Sequence, residues 1–168
     1  GIGGTGTSGL ARIFQSMGKI VQGSDLRQNE QTAMLEQIGI KVFYGHTPDN
    51  IAPSVAMVVY SQAITQDNPE YQHAQQHGIP LVSYPEALGA LMEKKQGIAI
   101  AGTHGKTTTS ALTIHLLKSA GLDPGFVIGG EIIGIGNAMA GKGPHLVVEA
   151  CEYKRSFLNY APEIAVVT

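Results

Sequence analysis

A glycine-rich segment, residues 102–108 (GTHGKTT), has the clearest chemical potential in the chain. Loops of this type bind phosphates through consecutive backbone N–H groups, while the lysine contacts the β- and γ-phosphates and the next hydroxyl ligates Mg²⁺. The strict pattern has glycine at position 100, where this chain has Ile100. Because the core Gly-Lys-Thr is intact between a strand pattern and a helix pattern, the sequence predicts a variant nucleotide-phosphate loop. We interpret His104 as a residue that shapes this loop, not as a catalytic base.

A second glycine-rich segment opens the chain, where residues 1–6 (GIGGTG) match the pattern G-x-G-x-x-G and lead into a helix pattern. Glycines in such a turn let the backbone approach a pyrophosphate at the helix N-terminus. Asp25 follows Gly6 by 19 residues (25 − 6), which suits an acid that binds a ribose hydroxyl. The motif alone leaves two interpretations open: a phosphate-binding turn, or a turn that only packs a helix on a sheet.

Several other polar residues follow apolar runs. Glu149 ends one such run, and we interpret it as a Mg²⁺ ligand beside the phosphate loop, the alternative being a strand-terminal acid that faces water. Ser61 and Asn68 follow another run, where either a ligand or solvent would contact them. For Lys154 and Arg155 two interpretations remain open: contact with the phosphates, or charged side chains on the surface. The six histidines have no spacing that suggests a shared metal.

Composition and charge exclude several classes of protein. The 168 residues carry 11 basic and 13 acidic side chains, with 43% hydrophobic and 14% charged residues. This composition is typical of a folded domain and argues against nucleic acid as a partner. The longest apolar run, Val55–Tyr60, is far shorter than the roughly 20 residues of a membrane span. The single cysteine, Cys151, fits a reducing cytoplasm, and we expect it to be a small buried residue.

Strand and helix patterns alternate along the first half of the chain, which predicts an α/β fold with a parallel sheet. The predicted strands are Lys19–Val21, Lys41–Tyr44, Ala56–Tyr60 and Pro80–Ser83. The predicted helices are Leu10–Met17, Gln31–Ile38 and Pro69–Gln76. No strand pattern precedes the glycine turn. We therefore expect a Rossmann-like domain at residues 1–84 whose first strand is missing.

The second half repeats this alternation and predicts part of a P-loop α/β domain at residues 85–168. Its predicted helices are Pro85–Lys95 and Lys106–Ser119, and its predicted strands are Ile98–Ala101, Phe126–Ile128, Leu146–Glu149 and Ile164–Val167. Eight of the 22 glycines lie between Gly121 and Gly143, which predicts a long irregular loop there. The chain begins within the glycine turn, without a strand before it, and ends directly after a predicted strand. We therefore expect a fragment of a longer protein.

With these motifs in this order, the chain resembles the Mur ligase family of peptidoglycan synthesis. The matching segments are GIGGTGTSGLA at 1–11, GSD at 23–25, VVYSQAITQDNPE at 58–70, AGTHGKTTT at 101–109, GFVIGGE at 125–131 and EACEYKRSFL at 149–158. The resemblance implies a cytoplasmic ligase that uses ATP and Mg²⁺. It is closest to the members that join L-alanine to UDP-N-acetylmuramate through an acyl phosphate.

The resemblance also implies roles for individual residues, with the UDP-sugar in the first domain and ATP in the second. The residues expected to contact the UDP-sugar are Gly3, Gly4, Gly6, Ser24, Asp25 and Ser61. The residues expected to hold ATP are Gly102, Thr103, His104, Gly105, Lys106, Thr107 and Thr108. Lys106 would be catalytic, acting on the phosphates, while Thr107 and Glu149 would ligate Mg²⁺.

The chain departs from the family pattern in several places. Thr7 replaces the methionine of the family's Gly-Met-Ser. The acidic run E-A-D-E-S-D reads E-A-C-E-Y-K here, which keeps Glu149 and Glu152 but removes two acids. The family's C-terminal amino-acid-binding domain and its metal-binding histidine motif are absent from these residues. We therefore expect residues 1–168 alone to be inactive.

Three alternatives to this function remain open. The first is the related ligase that recycles an intact tripeptide onto UDP-N-acetylmuramate. The second is an NAD(P)-dependent oxidoreductase, which Gly1–Gly6 and Asp25 alone suggest. The third is a non-catalytic nucleotide-binding module.

Overall fold

The computed structural model describes all 168 residues, and the chain divides into two compact units, Gly1–Tyr84 and Pro85–Thr168. Both units combine helices with parallel strands, which confirms the predicted fold class. None of the helices is both long enough and apolar enough to cross a membrane.

The first unit holds its strands in two separate parallel pairs. Its elements are α1 (Thr5–Ser16), β1 (Gln22–Asp25), α2 (Glu30–Gln37), β2 (Lys41–Tyr44), a 3₁₀ turn (Pro48–Asn50), β3 (Val58–Tyr60), α3 (Pro69–Gln76) and β4 (Leu81–Ser83). β1 pairs with β2, and β3 pairs with β4. A cavity of about 750 Å³ borders β1, β3 and α1. Because no strand joins β1 to β3, the expected single sheet is divided in two.

Local signals and a small core explain these elements. Asn29 begins α2 with a capping box, in which its side chain accepts a hydrogen bond from the Thr32 N–H at 2.9 Å. Asn68 caps α3 through its side-chain oxygen, which accepts from the Glu70 and Tyr71 N–H groups, and Pro69 occupies the first helical position. The core between α1, α2 and the first strand pair consists of Ile2, Ala11, Leu35 and Ile40, with Val21 and Val42 beside it.

The second unit is built on one five-stranded sheet. Its elements are α4 (Tyr84–Met92), β5 (Gln96–Ala101), α5 (Lys106–Ser119), β6 (Gly125–Ile132), β7 (Gly136–Met139), β8 (His145–Glu149), a 3₁₀ segment (Tyr153–Asn159) and β9 (Ile164–Val167). The strand order is β7-β6-β8-β5-β9, and only β7 is antiparallel to its neighbour. The core residues that hold α5 against this sheet are Ile98, Ile100, Ile114, Phe126, Ile128 and Val147.

Three predicted elements of the sequence analysis are wrong. The strand predicted at Lys19–Val21 is Gln22–Asp25 instead, because pairing with β2 selects this polar stretch and leaves Ile20 fully exposed. Helix α1 begins at Thr5 and not at Leu10, so Gly6 lies in its first turn. The predicted irregular loop between residues 121 and 143 contains the antiparallel pair β6 and β7, whose connection uses Gly134 at φ +78°.

Candidate nucleotide-binding sites

The phosphate loop lies at the carboxyl end of β5, which has β8 on one side and β9 on the other. Two of its glycines have left-handed backbone angles, Gly102 at φ +138° and Gly105 at φ +79°. Gly105 is the N-cap of α5, and its carbonyl accepts the first helical hydrogen bond, from the Thr109 N–H. The loop therefore ends at a helix N-terminus, where backbone N–H groups and the helix dipole favour a phosphate.

The side chain of Lys106 folds back over this loop. Its ammonium donates a hydrogen bond to the Gly102 carbonyl at 2.6 Å and lies 3.5 Å from Glu152 Oε2. A backbone N–H first, and the Lys106 ammonium second, hold the pKa of the Glu152 carboxyl below its ordinary value. The lysine charge is thus kept at the loop by a carbonyl and an exposed carboxylate, both of which a phosphate group would replace.

Thr107 and Glu149 meet beside the lysine. The Thr107 hydroxyl lies 3.1 Å and 3.0 Å from the two carboxylate oxygens of Glu149, and the Gly129 N–H donates to Oε2 at 2.9 Å. A hydroxyl and a carboxylate next to a phosphate site are oxygen ligands that suit Mg²⁺. No group of three or more His, Cys, Asp and Glu side chains in the structure could hold a metal. A magnesium ion at Thr107 and Glu149 would therefore need further oxygens from phosphates or water.

Gly129 and Gly130 belong to this site although the sequence analysis assigned them no role. A Cβ atom on Gly130 would lie 2.5 Å from Thr107 Cγ2, so only glycine lets β6 come this close to the start of α5. Two adjacent glycines inside a strand are the signal that points to such a close approach.

The remaining candidates near the loop differ in their surroundings. Thr103, His104 and Thr108 are exposed, and the His104 carbonyl accepts a hydrogen bond from the Thr168 hydroxyl. Lys154 and Arg155 both have left-handed backbone angles, at φ +49° and +57°. The expectation of a buried cysteine is wrong: Cys151 is exposed, because it follows the end of β8 and lies outside the sheet.

In the first unit, the glycine turn is held by side chains around it. The Gly3 N–H donates to Asp25 Oδ2 at 2.8 Å. A Cβ on Gly3 would lie 2.8 Å from both Asn29 Nδ2 and Thr32 Cγ2, and one on Gly6 would lie 2.6 Å from the Tyr84 ring. These glycines are therefore required for close packing.

Two other candidates lie around this turn. A Cβ on Gly4 would lie 2.9 Å from the Thr7 hydroxyl oxygen, so this glycine is also closely packed. Ser61 lies beside the turn, since a Cβ on Gly1 would be 3.5 Å from the Ser61 Cβ. The structure thus brings Ser61, Asp25 and the glycine turn together at the carboxyl ends of β1 and β3.

Ser24 has a different environment from Asp25. Its side chain is buried, and its hydroxyl donates to Glu70 Oε2 at 2.5 Å and contacts His46 Nδ1 at 3.0 Å. Glu70 also binds Asn50, whose amide donates to Oε1 at 2.6 Å. His46, Asn50 and Glu70 are contacts of Ser24 and Glu70 that the sequence did not predict. One signal was available, because His46 follows β2 at the edge where parallel sheets bind ligands.

The comparisons with known proteins agree with this geometry. Residues 1–96, more than half of the chain, match the model of the Mur ligase family, catalytic domain. The chain belongs to the Mur ligase family. Among its relatives, a UDP-N-acetylmuramate–L-alanine ligase of Carboxydothermus hydrogenoformans is 51% identical over 99% of this chain. A ligase of the same name from Anaeromyxobacter dehalogenans is 47% identical over the whole chain.

Solved Mur ligase structures have the same fold. The UDP-N-acetylmuramate–alanine ligase of Thermotoga maritima matches 99% of this chain with a TM-score of 0.91 and 33% identity, over 39% of its own length. The UDP-N-acetylmuramate:L-alanyl-γ-D-glutamyl-meso-diaminopimelate ligase of Neisseria meningitides matches 99% of the chain with a TM-score of 0.89 and 31% identity, over 58% of its own length. The chain spans 36% and 37% of the two curated relatives named above.

Proposed function

We propose that this chain forms the sugar-nucleotide-binding and ATP-binding parts of a cytoplasmic ligase that joins L-alanine to UDP-N-acetylmuramate. The observation that supports this most is the contact of Thr107 with Glu149 at the start of α5, beside Lys106. The names of the relatives that are 47% and 51% identical to the chain support the choice of substrates.

In the second unit, ATP binds at residues 102–108. Lys106 leaves the Gly102 carbonyl and binds the β- and γ-phosphates, where its charge stabilises the negative charge of the transferred phosphoryl group. Thr107 and Glu149 hold Mg²⁺, which neutralises phosphate charge when it is bound. Gly129 keeps the Glu149 carboxylate in place through its backbone N–H.

In the first unit, UDP-N-acetylmuramate binds at the carboxyl ends of β1 and β3. Gly3, Gly4 and Gly6 let the backbone approach the pyrophosphate. Asp25 already uses Oδ2 for the Gly3 N–H, so its other carboxylate oxygen is the one that accepts a hydrogen bond from the ligand. Ser24 and Ser61 complete the set of residues expected around the UDP-sugar.

The proposed reaction has two steps. A carboxylate oxygen of UDP-N-acetylmuramate attacks the γ-phosphorus of ATP, which forms an acyl phosphate and releases ADP. The amine of L-alanine then attacks the acyl carbon, phosphate leaves, and the nitrogen loses a proton to give the amide. This chain's contribution is to hold the phosphates and to stabilise their charge during the first step.

The test uses a protein with the full length of the relatives. We expect phosphate release from ATP only when both UDP-N-acetylmuramate and L-alanine are present. Phosphate release that does not depend on the sugar nucleotide would contradict the proposal. We expect no complete turnover from residues 1–168 alone, so the same assay on this chain is the matched control.

The tripeptide-recycling ligase is a second candidate, because the Neisseria meningitides tripeptide ligase matches this chain with a TM-score of 0.89. The decisive measurement compares L-alanine with the tripeptide as the acceptor in the full-length protein. A kcat/KM that is higher for L-alanine supports the first function, and the reverse supports the second. The oxidoreductase alternative has no support among the relatives and structures named above.

A further inference from the structure

The ammonium group of Lys106 has two oxygen partners of different kinds. The Gly102 carbonyl accepts its hydrogen bond at 2.6 Å within the phosphate loop, and Glu152 Oε2 lies 3.5 Å from it outside the loop. The Lys106 side chain is only 16% exposed, whereas that of Glu152 is 71% exposed. The ion pair therefore joins a largely buried cation of the proposed ATP site to a solvated anion that is free to leave it.

The two acids that follow β8 have separate partners. Both oxygens of Glu149 lie within 3.1 Å of the Thr107 hydroxyl, and Oε2 also accepts from the Gly129 N–H. Glu152 instead contacts the Lys106 ammonium. Glu149 is thus left to the proposed metal site, and Glu152 acts on the cation that we assign to the phosphates.

An unusual turn follows Glu152. The Glu152 carbonyl accepts from the Arg155 N–H at 2.9 Å, and Lys154 and Arg155 have left-handed backbone angles, at φ +49° and +57°. Residues other than glycine rarely adopt such angles, which persist only where surrounding contacts hold them. The ion pair with Lys106 is one such contact, because it connects this turn to the phosphate loop.

The β- and γ-phosphates of ATP require the same ammonium. With Glu152 Oε2 still 3.5 Å from Lys106, a carboxylate would lie close to phosphate oxygens of the same charge, and their repulsion would oppose binding. An exposed ion pair contributes little to stability, so the phosphates can displace Glu152 at a small cost. That cost is subtracted from the affinity for ATP.

We propose that Glu152 is a positioning residue of the ATP site, which holds Lys106 at the loop while the site is empty and competes with the phosphates for it. The inference rests on the proposed function and adds to it a residue that sets the affinity for ATP. Glu152 acts through Lys106 and does not contact the nucleotide. Because the ion pair is already broken when ATP is bound, it changes the affinity for ATP and not the rate of phosphoryl transfer.

The first test measures the dissociation constant for ATP by titration of the full-length protein. Glu152→Gln keeps the length of the side chain and removes its charge, so we expect ATP to bind about 2–5-fold more tightly, the range of one exposed ion pair. The kcat should stay within about twofold of that of the unsubstituted protein. A general structural defect would weaken ATP binding instead.

The matched control is Glu163→Gln, which removes the same charge from an exposed acid of the second unit. The Glu163 N–H donates to the carbonyl of Gly97, near the start of β5, while the phosphate loop follows the end of that strand. We therefore expect the affinity of Glu163→Gln for ATP to be unchanged.

Two further titrations separate the contact with Lys106 from a general effect of charge. Glu152→Asp keeps the charge but is shorter by one methylene, so its carboxylate lies farther from Lys106, and ATP should again bind more tightly than to the unsubstituted protein. AMP lacks the phosphates that we assign to Lys106, so its affinity should be equal in all variants. If Glu152→Asp binds ATP as the unsubstituted protein does, only charge matters and the inference is overturned.

The outcomes distinguish the inference from the proposed function. ATP affinity that is unchanged or weaker in Glu152→Gln would overturn the inference alone. A full-length protein that binds ATP but releases no phosphate with UDP-N-acetylmuramate and L-alanine would contradict the proposed function, while the titrations would still decide the role of Glu152. If neither the unsubstituted protein nor Glu152→Gln binds ATP, both fail. Because Glu152 is largely exposed, we expect its variants to fold.

Discussion

The two glycine-rich turns of this chain use glycine for different physical reasons. In the second unit, Gly102 and Gly105 have backbone angles in the left-handed region, which side chains rarely adopt, and a Cβ on Gly102 would in addition meet Thr168. In the first unit, none of the glycines in residues 1–6 has a left-handed angle, and Gly3 and Gly6 are needed because neighbouring side chains leave no room for a Cβ. Two similar motifs thus have different structural requirements.

This difference predicts where each turn is sensitive to substitution. The phosphate loop depends on two glycines with left-handed angles and on Thr168, directly after β9, whose hydroxyl donates to the His104 carbonyl. The glycine turn is held by Asp25 and Asn29, so its shape depends on β1 and α2. Substitutions outside the turn should therefore change sugar-nucleotide binding more than substitutions outside the loop change ATP binding.

The largest expected effect is on the charge of the phosphate loop. Lys106→Ala removes the ammonium that we assign to the β- and γ-phosphates, and we expect kcat to fall by about 10²–10³-fold, as for one preorganised electrostatic group. The measurement is ATP-dependent phosphate release by the full-length protein. Lys118→Ala, in the last turn of the same helix, is the control and should keep normal activity. A loss of less than about tenfold for Lys106→Ala would contradict the role of this lysine.

A smaller effect should distinguish the two units through glycines that are needed for close packing. A Cβ on Gly130 would meet Thr107 Cγ2, and one on Gly23 would meet the Ile2 side chain, both at 2.5 Å. We expect Gly130→Ala and Gly23→Ala each to cost about 1–3 kcal/mol of unfolding free energy, because both overpack a strand. Only Gly130→Ala should weaken Mg²⁺-dependent ATP binding, since it displaces Thr107 from Glu149. Denaturant unfolding and nucleotide titration of both variants check this, and equal ATP affinities would refute it.

Contiguous motifs made part of the fold predictable from the sequence. Residues 102–108 and helix α5 were recognised because strand, loop and helix signals follow one another directly. Of the hairpin of β6 and β7, the sequence predicts only Phe126–Ile128 as a strand, because the high glycine content of the remaining residues is typical of irregular structure. In the structure, Gly134 forms the turn and Gly130 allows the close approach to Thr107. Glycine content alone does not distinguish a loop from a strand that packs closely.

The side chains that meet at Glu70 show why the candidate site was only partly predictable. Ser24, His46, Asn50 and Glu70 are far apart in the sequence, and only the parallel arrangement of β1 and β2 and the packing of α3 bring them together. The short motif GSD at 23–25 identified Ser24 but does not indicate which side chains Ser24 contacts. The position of β1 was also predicted wrongly, because the exposed Ile20 and the half-buried Val21 have more strand-like side chains than the polar residues that form the strand.

The smallest expected effect tests whether α2 holds the glycine turn. Asn29 has two functions: its Oδ1 caps α2 through the Thr32 N–H, and its Nδ2 donates to the Gly3 carbonyl at 3.1 Å. Asn29→Ala removes both and should cost about 1 kcal/mol or slightly more. Asn29→Ser keeps a good N-cap side chain and removes the donor to Gly3 without adding a charge, so we expect a smaller loss of unfolding free energy.

Measuring the affinity for the sugar nucleotide distinguishes these two functions of Asn29. Both variants should weaken UDP-N-acetylmuramate binding in the full-length protein to a similar degree, because both release the Gly3 carbonyl, while ATP binding stays unchanged. Denaturant unfolding together with titration of each nucleotide measures the two effects separately. If Asn29→Ser binds the sugar nucleotide normally, the turn keeps its shape without α2. The contrast between a loop whose glycines need left-handed angles and a turn held by side chains of β1 and α2 would then fail for the first unit.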